Sequence, residues 1–142
     1  MADKALRRLA WSMSMAVLMT ALSLTLSAPA TATTTASCTS VSIYYHRGLP
    51  IAEIPTIGRD TGQDNCLLGV GNQSVAVQVL QDTLKTCYRR NITVDGIFGP
   101  QTRSALQHAQ RAEHIPADGV YGPQTRDHLR WLDIASFGCV RL

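Results

Sequence analysis

A chain of 142 residues, 16% charged and 45% hydrophobic, has room for one domain with additions and excludes two full-sized domains. Its net charge of +3 sits mostly at the start. Removing residues 1–32 takes away Lys4, Arg7 and Arg8 against Asp3 and leaves ten basic and nine acidic residues, a balance with no polybasic footprint for nucleic acid.

Residues 1–32 read as a secretory signal peptide. Lys4, Arg7 and Arg8 are followed by an uncharged apolar run from Leu9 to Leu26. Then come Ala28-Pro29-Ala30 and Ala30-Thr31-Ala32, both small-x-small cleavage signals. The run approaches the length of a membrane anchor, but its many Ser and Thr weaken that reading, so no membrane association is expected after cleavage. Thr35 stands where a lipobox before Cys38 would need Leu, which argues against a lipoprotein.

The four cysteines, Cys38, Cys66, Cys87 and Cys139, all follow the signal peptide. An even number in an exported chain reads as a disulfide framework. There is no C-x-x-C pair to hold zinc. Spacing leaves alternative pairings open. The favoured one joins Cys38 to Cys66, pinning an N-terminal arm, and Cys87 to Cys139, tying the first helix to a C-terminal tail.

Residues 33–37 are expected to be a disordered leader. Residues 33–68 as a whole, with Pro50, Pro55, Gly58 and Gly62, are expected to form an irregular arm, with a short strand conceivable over Val41–Tyr45. Order begins at Gly69. Gly71-Asn72-Gln73-Ser74 is a turn with Ser74 as helix N-cap. Val77, Leu80 and Leu84 then form one helical stripe, ending near Cys87-Tyr88.

An internal repeat follows. Residues 95–103 read Asp-Gly-Ile-Phe-Gly-Pro-Gln-Thr-Arg, and residues 118–126 read Asp-Gly-Val-Tyr-Gly-Pro-Gln-Thr-Arg. Repetition of this kind marks a supersecondary unit used twice. Asp-Gly makes a tight turn, the aliphatic and aromatic residues are expected to dip into a core, and Pro opens a helix. The first of these helices carries Thr102, Ala105, Leu106 and Ala109 on its stripe and ends before Ile115-Pro116. The second carries Thr125, Leu129 and Leu132. The fold expected is all-α: three short helices over residues 69–134, an arm before them, a tail over 135–142, and disulfide staples.

On these residues the chain resembles the peptidoglycan-binding-like domain family. The resemblance runs from Val77, Leu80, Gln81 and Leu84 through Asp95, Gly96, Phe98, Gly99, Pro100, Thr102, Gln110 and Ile115. It closes on Asp118, Gly119, Tyr121, Gly122, Pro123, Thr125 and Leu129. It implies a three-helix fold and a role in attaching secreted proteins to bacterial cell wall. Ala109 stands where the family has an aromatic, so Trp131 or the arm must fill that part of the core. His114 stands where the family has a helix-ending Gly, and it would have to adopt a left-handed conformation. The family's members are mostly appendages of wall hydrolases, and the residues outside the domain are too few for a catalytic one.

No chemistry of its own is expected. His46, His108, His114 and His128 form no metal-ligand pair. The serines lack a nucleophile context. Asp95 and Asp118 are explained as turn residues without invoking a carboxylate pair for glycoside hydrolysis. Asn72 and Asn91 head sequons that read as a turn and a cap. The expectation is therefore a secreted, wall-associated protein with no catalytic residues, no cofactor and no metal, whose partner is peptidoglycan, or alternatively a separate cell-wall hydrolase that it assists or inhibits. Sugar faces suit aromatic rings and stem-peptide carboxylates suit arginines. Arg103, Gln107, Tyr121, Arg126 and Tyr88 are thus the candidate ligand contacts, with Arg103 and Arg126 related by the repeat.

Overall fold

The computed structural model describes residues 35–59 and 61–142; the signal-peptide reading of residues 1–32 lies outside them. The elements in order are β1 (Ser40–His46), β2 (Leu49–Thr56), α1 (Val75–Cys87), α2 (Pro100–Ala112), α3 (Pro123–His128), β3 (Trp131–Leu132) and β4 (Cys139–Val140).

The all-α expectation needs correction at both ends. The arm is an antiparallel hairpin, β1 on β2. Its β-branched and aromatic run Val41, Ile43, Tyr44, Tyr45 favours extended chain. Arg47 and Gly48 both take positive φ (52° and 80°), the two-residue turn that matches strand twist. The prolines had pointed to irregularity. Pro55 pairs opposite Val41, and Pro50 opposite Tyr45 next to a register shift, places where a two-stranded ribbon tolerates a missing N–H. Ala52 and Ile54 are buried and Glu53 is exposed between them, so β2 lays one face on α1. The leader is also partly held: the amides of Leu67 and Cys38 donate to the carbonyls of Ala36 and Leu67, each at 3.0 Å.

The C-terminal correction is similar. α3 stops after six residues, and Leu132, expected on its stripe, lies in β3 opposite Cys139. Trp131 explains the break. It is fully buried, its indole N–H donates to the Arg126 carbonyl at 2.9 Å, and its ring meets Tyr121 edge-on at 6.0 Å. Continuing the helix would pull this anchor out of the core.

The helix starts agree with expectation. The Ser74 hydroxyl accepts from the Val77 amide at 3.4 Å, and α2 and α3 both open with proline. His114 closes α2 with φ 58°, and the Ile115 amide reaches the Gln110 carbonyl at 3.0 Å, the bond of a left-handed helix cap. Both favoured disulfides are present, Cys38–Cys66 and Cys87–Cys139. The core gathers Phe98, Tyr121, Trp131, Leu68, Leu80, Leu84, Leu106 and Leu129.

Candidate functional site

The repeat becomes two copies of one hydrogen-bonded cage. In the first, Gln81 of α1 is buried behind the turn at Asp95-Gly96. Its side-chain N–H group donates to Asp95 Oδ1 (2.9 Å), the Ile97 carbonyl (3.1 Å) and the Thr102 hydroxyl (3.1 Å). Its oxygen accepts from the amides of Asp95 (3.1 Å) and Gly96 (2.8 Å). In the second, Gln110 of α2 donates to Asp118 Oδ1 (2.8 Å), the Val120 carbonyl (3.0 Å) and the Thr125 hydroxyl (3.1 Å), and accepts from the Gly119 amide at 2.9 Å. Asp95 and Asp118 each also accept from the amide two residues on, at 2.9 Å. These bonds, the Gln81 side chain first and the Ile97 amide next, hold the Asp95 carboxyl below the usual carboxylate range.

The glycine that follows each aspartate is required by its backbone: Gly96 has φ +75°, and an added Cβ would lie 3.0 Å from Gln78 Cγ. Gly119 has φ +72°, and a Cβ there would lie 2.6 Å from Arg103 Cγ and 3.0 Å from Gln107 Cγ. The segment before α1 ties the two cages together: Leu68 exchanges backbone bonds with Tyr121 (3.0 and 2.8 Å), and Phe98 donates to the Asn72 carbonyl at 2.9 Å.

The aliphatic residues of the repeat do not dip inward as expected. Phe98 and Tyr121 are fully buried, whereas Ile97 is 46% and Val120 38% exposed. The turn alternates its side chains as an extended chain does, so burying the aromatic turns its neighbour out. Ile97 thereby helps line an open groove of about 440 Å³, with Ile92, Thr93, Asp95, Pro100 and Gln101.

The predicted contacts do not share one place. Arg103 and Gln107 come together over Gly119, with Arg103 Nη2 3.5 Å from the Asp118 carbonyl. Its repeat equivalent is otherwise engaged: Arg126 pairs with Asp64 and Asp127, both at 2.7 Å. Tyr121 turns no face to solvent, and its hydroxyl is buried without a partner among the described residues. Burial raises its pKa far above the ordinary phenol value. Replacing Tyr121 by Phe, the type of residue at 98, is expected to leave stability unchanged or raise it by up to about 1 kcal/mol; urea unfolding measures this, and a clear loss would mean the hydroxyl has a partner.

Tyr88 lies elsewhere, at the end of α1. Its hydroxyl donates to Glu113 Oε1 and accepts from the Arg130 amide, both at 2.7 Å, and Arg130 stacks on its ring at 5.4 Å. Burial first, together with Glu113, pushes its pKa up to about 12. For Glu113 itself burial acts upward, but the bonds from Tyr88, Arg141 and Arg130 outweigh it, and the carboxyl titrates below its ordinary value. A depressed carboxyl stabilises the fold above its unfolded pKa, and that contribution disappears as pH falls through the folded value. The unmodified protein should therefore lose more stability between about pH 5 and pH 3 than Glu113→Gln does; equal losses in acid unfolding would remove the assignment.

Sequence reasoning missed the role of Gln81 and Gln110. A signal existed. Ala76, Val77 and Gln81 on α1 match Ala105, Leu106 and Gln110 on α2 at a constant offset of 29 residues. The turns are offset by only 23, because the Gln-to-Asp spacing shortens from 14 to 8. Among the described residues no three His, Cys, Asp or Glu side chains group to hold a metal ion.

Fold and site together define a helical domain built around a doubled, glutamine-caged turn. Residues 73–129 match the family model described as "Putative peptidoglycan binding domain", and this part of the chain belongs to that family. Solved structures with similarity include a fused zinc-dependent amidase/peptidase/peptidoglycan-binding domain-containing protein from Clostridium acetobutylicum (36% identity, TM-score 0.40, covering 42% of this chain and 26% of that one). The SleB N-terminal domain is 34% identical, with TM-score 0.42, over 44% of this chain and 85% of that one. A peptidoglycan-binding protein from Clostridioides difficile, solved with glutamine hydroxamate, is 24% identical, with TM-score 0.46, over 61% and 54%. The chain thus spans about a quarter (26%) of the first of these. No curated protein matches it.

Proposed function

We propose that this protein is an exported, non-catalytic module that binds bacterial cell-wall peptidoglycan, with the glycan lying in the groove beside the first turn. The observation that carries the reading is the family match over residues 73–129. The groove suits a sugar chain. Ile92, Ile97 and Pro100 offer an aliphatic floor for the C–H faces of the rings, and Asp95, Thr93 and Gln101 offer polar edges for hydroxyl and amide groups. Asp95 Oδ1 is used by the turn, while Oδ2 has no partner among the described residues. The caged turn keeps this wall rigid, so little ordering entropy is lost on binding. Recognition is by shape and polar contacts, with no bond broken.

The repeat supplies its own control. Ile97→Asp should weaken retention on insoluble peptidoglycan by about tenfold, the effect of losing one good contact. Val120→Asp, the equivalent exposed position outside the groove, should leave retention unchanged. Equal behaviour of the two folded variants would move the glycan away from this groove.

A second reading, an accessory protein for a separate wall hydrolase, draws support from the hairpin tip, where Tyr45 and Leu49 are 58% and 68% exposed. Co-purification with a hydrolase that is stronger than retention on wall, and lost in Tyr45→Ser/Leu49→Ser, would favour it.

A further inference from the structure

A second groove, of about 450 Å³, opens where α1 and α2 end, between Tyr88, Arg89, His108, Ala112, Arg130 and Cys139. Arg130 and Cys139 lie beyond residues 73–129, so this groove is built partly from what the chain adds to the family domain. The Cys87–Cys139 disulfide forms part of its wall.

The charges around it are unbalanced. Glu113 is the carboxylate at its edge, and it is already taken by Tyr88, Arg130 (3.2 Å) and Arg141. Arg89 is exposed and has no ion pair among the described residues, and His108 has no hydrogen-bond partner there. Arg89 and Arg130 line the groove and Arg141 joins it through Glu113, so among the described residues of this cluster three guanidiniums stand against one carboxylate. The ends of α1 and α2 attract some of this charge, but each end contributes only about half a unit, and the excess stays positive. Arg89 holds φ +52° directly after the α1 cap, with the Arg90 amide closing on the Leu84 carbonyl at 3.1 Å. Glycine would serve that backbone better; arginine brings a cation to the mouth of the groove instead.

We propose that this groove binds the free C-terminal carboxylate of a short peptide, and that in the wall the peptide is the stem carried by the glycan. The proposal rests on the wall-binding reading above and adds a second, chemically different subsite to it. Arginine forks hold carboxylates in two-pronged bonds. Tyr88, Ala112 and the disulfide give apolar walls for alanine-sized side chains, and the volume lies at the small end of ligand pockets.

The test uses the oxidised protein and the synthetic peptide N-acetyl-lysyl-D-alanyl-D-alanine, with its C-terminal amide and inorganic phosphate as comparisons, followed by calorimetry and by NMR shifts of Arg89, His108 and Arg130. The acid should bind at least about tenfold more tightly than the amide, and Arg89→Gln should remove about tenfold of that affinity. Arg89 is exposed, so the variant should fold, and an unchanged melting curve checks this. Equal binding of acid and amide, no binding at millimolar concentration, or phosphate binding as tightly as the acid would each overturn the carboxylate subsite. Glycan stripped of its peptides separates the two readings. Retention on stripped glycan with no peptide binding leaves the first groove standing and removes the second. Peptide binding without retention on stripped glycan upholds the second and removes the first.

Discussion

Gln81→Glu should destabilise the domain by about 3 kcal/mol or more at neutral pH, although it changes only one atom of the side chain. The substitution replaces a donor by an acceptor. The lost N–H group serves Asp95 Oδ1, the Ile97 carbonyl and the Thr102 hydroxyl, and leaving buried polar groups unsatisfied costs about 1–3 kcal/mol each. A carboxylate there also faces the Asp95 carboxylate from the distance of the present 2.9 Å bond. Part of the loss should return in mild acid, where protonation of the new carboxyl restores one donor. Against a total stability of about 5–15 kcal/mol, the loss is large enough to read in urea unfolding. Lys85→Ala, on the exposed face of the same helix, should change stability by less than about 0.5 kcal/mol. A Gln81→Glu protein as stable as the parent would mean that the cage does not hold the turn.

Removing the Cys87–Cys139 bridge should have an effect of similar size by a different route. The bridge closes 52 residues, and loop-closure entropy for such a length is about 4 kcal/mol. The double Cys87→Ser/Cys139→Ser variant should lose about that much and release β4 from β3. Retention on glycan stripped of its peptides should survive below the new melting temperature, because none of the residues lining the first groove belongs to the tail, whereas the second groove loses the disulfide from its wall. Removing Cys38–Cys66, which closes 28 residues, should cost about 3.5 kcal/mol from entropy alone. It should cost more in total, since both sulfurs are buried and two hydroxyls would enter the core. Thermal unfolding of both variants checks the order.

Much of the helical domain was legible because its signals are local. Ser74, Pro100 and Pro123 open helices by capping and by fixed φ, and the repeated Asp-Gly turns need no distant partner to be recognised. The arm was less legible. Pro50 and Pro55 obscured a strand whose survival depends on which edge carries the missing N–H, a fact set by the partner strand. The early end of α3 was hidden because it is decided by Trp131 entering a core assembled from every other element. The outward turn of Ile97 and Val120 follows from the burial of Phe98 and Tyr121, so hydrophobicity alone could not assign it. Of the candidate contacts, Arg103 and Gln107 were readable as neighbours one helical turn apart. The engagement of Arg126 by Asp64 was not, since 62 residues separate them. Gln81 and Gln110 stood out only through the resemblance, and their role stayed hidden because a buried glutamine looks like a surface residue until the backbone groups it serves are in place.

The most direct measurement is co-sedimentation of the purified, oxidised protein with insoluble peptidoglycan, with cellulose and chitin as controls. Selective pelleting with peptidoglycan, weakened in Ile97→Asp and kept in Val120→Asp, is the result expected. A folded protein that stays in solution with all three polymers would contradict the wall-binding account.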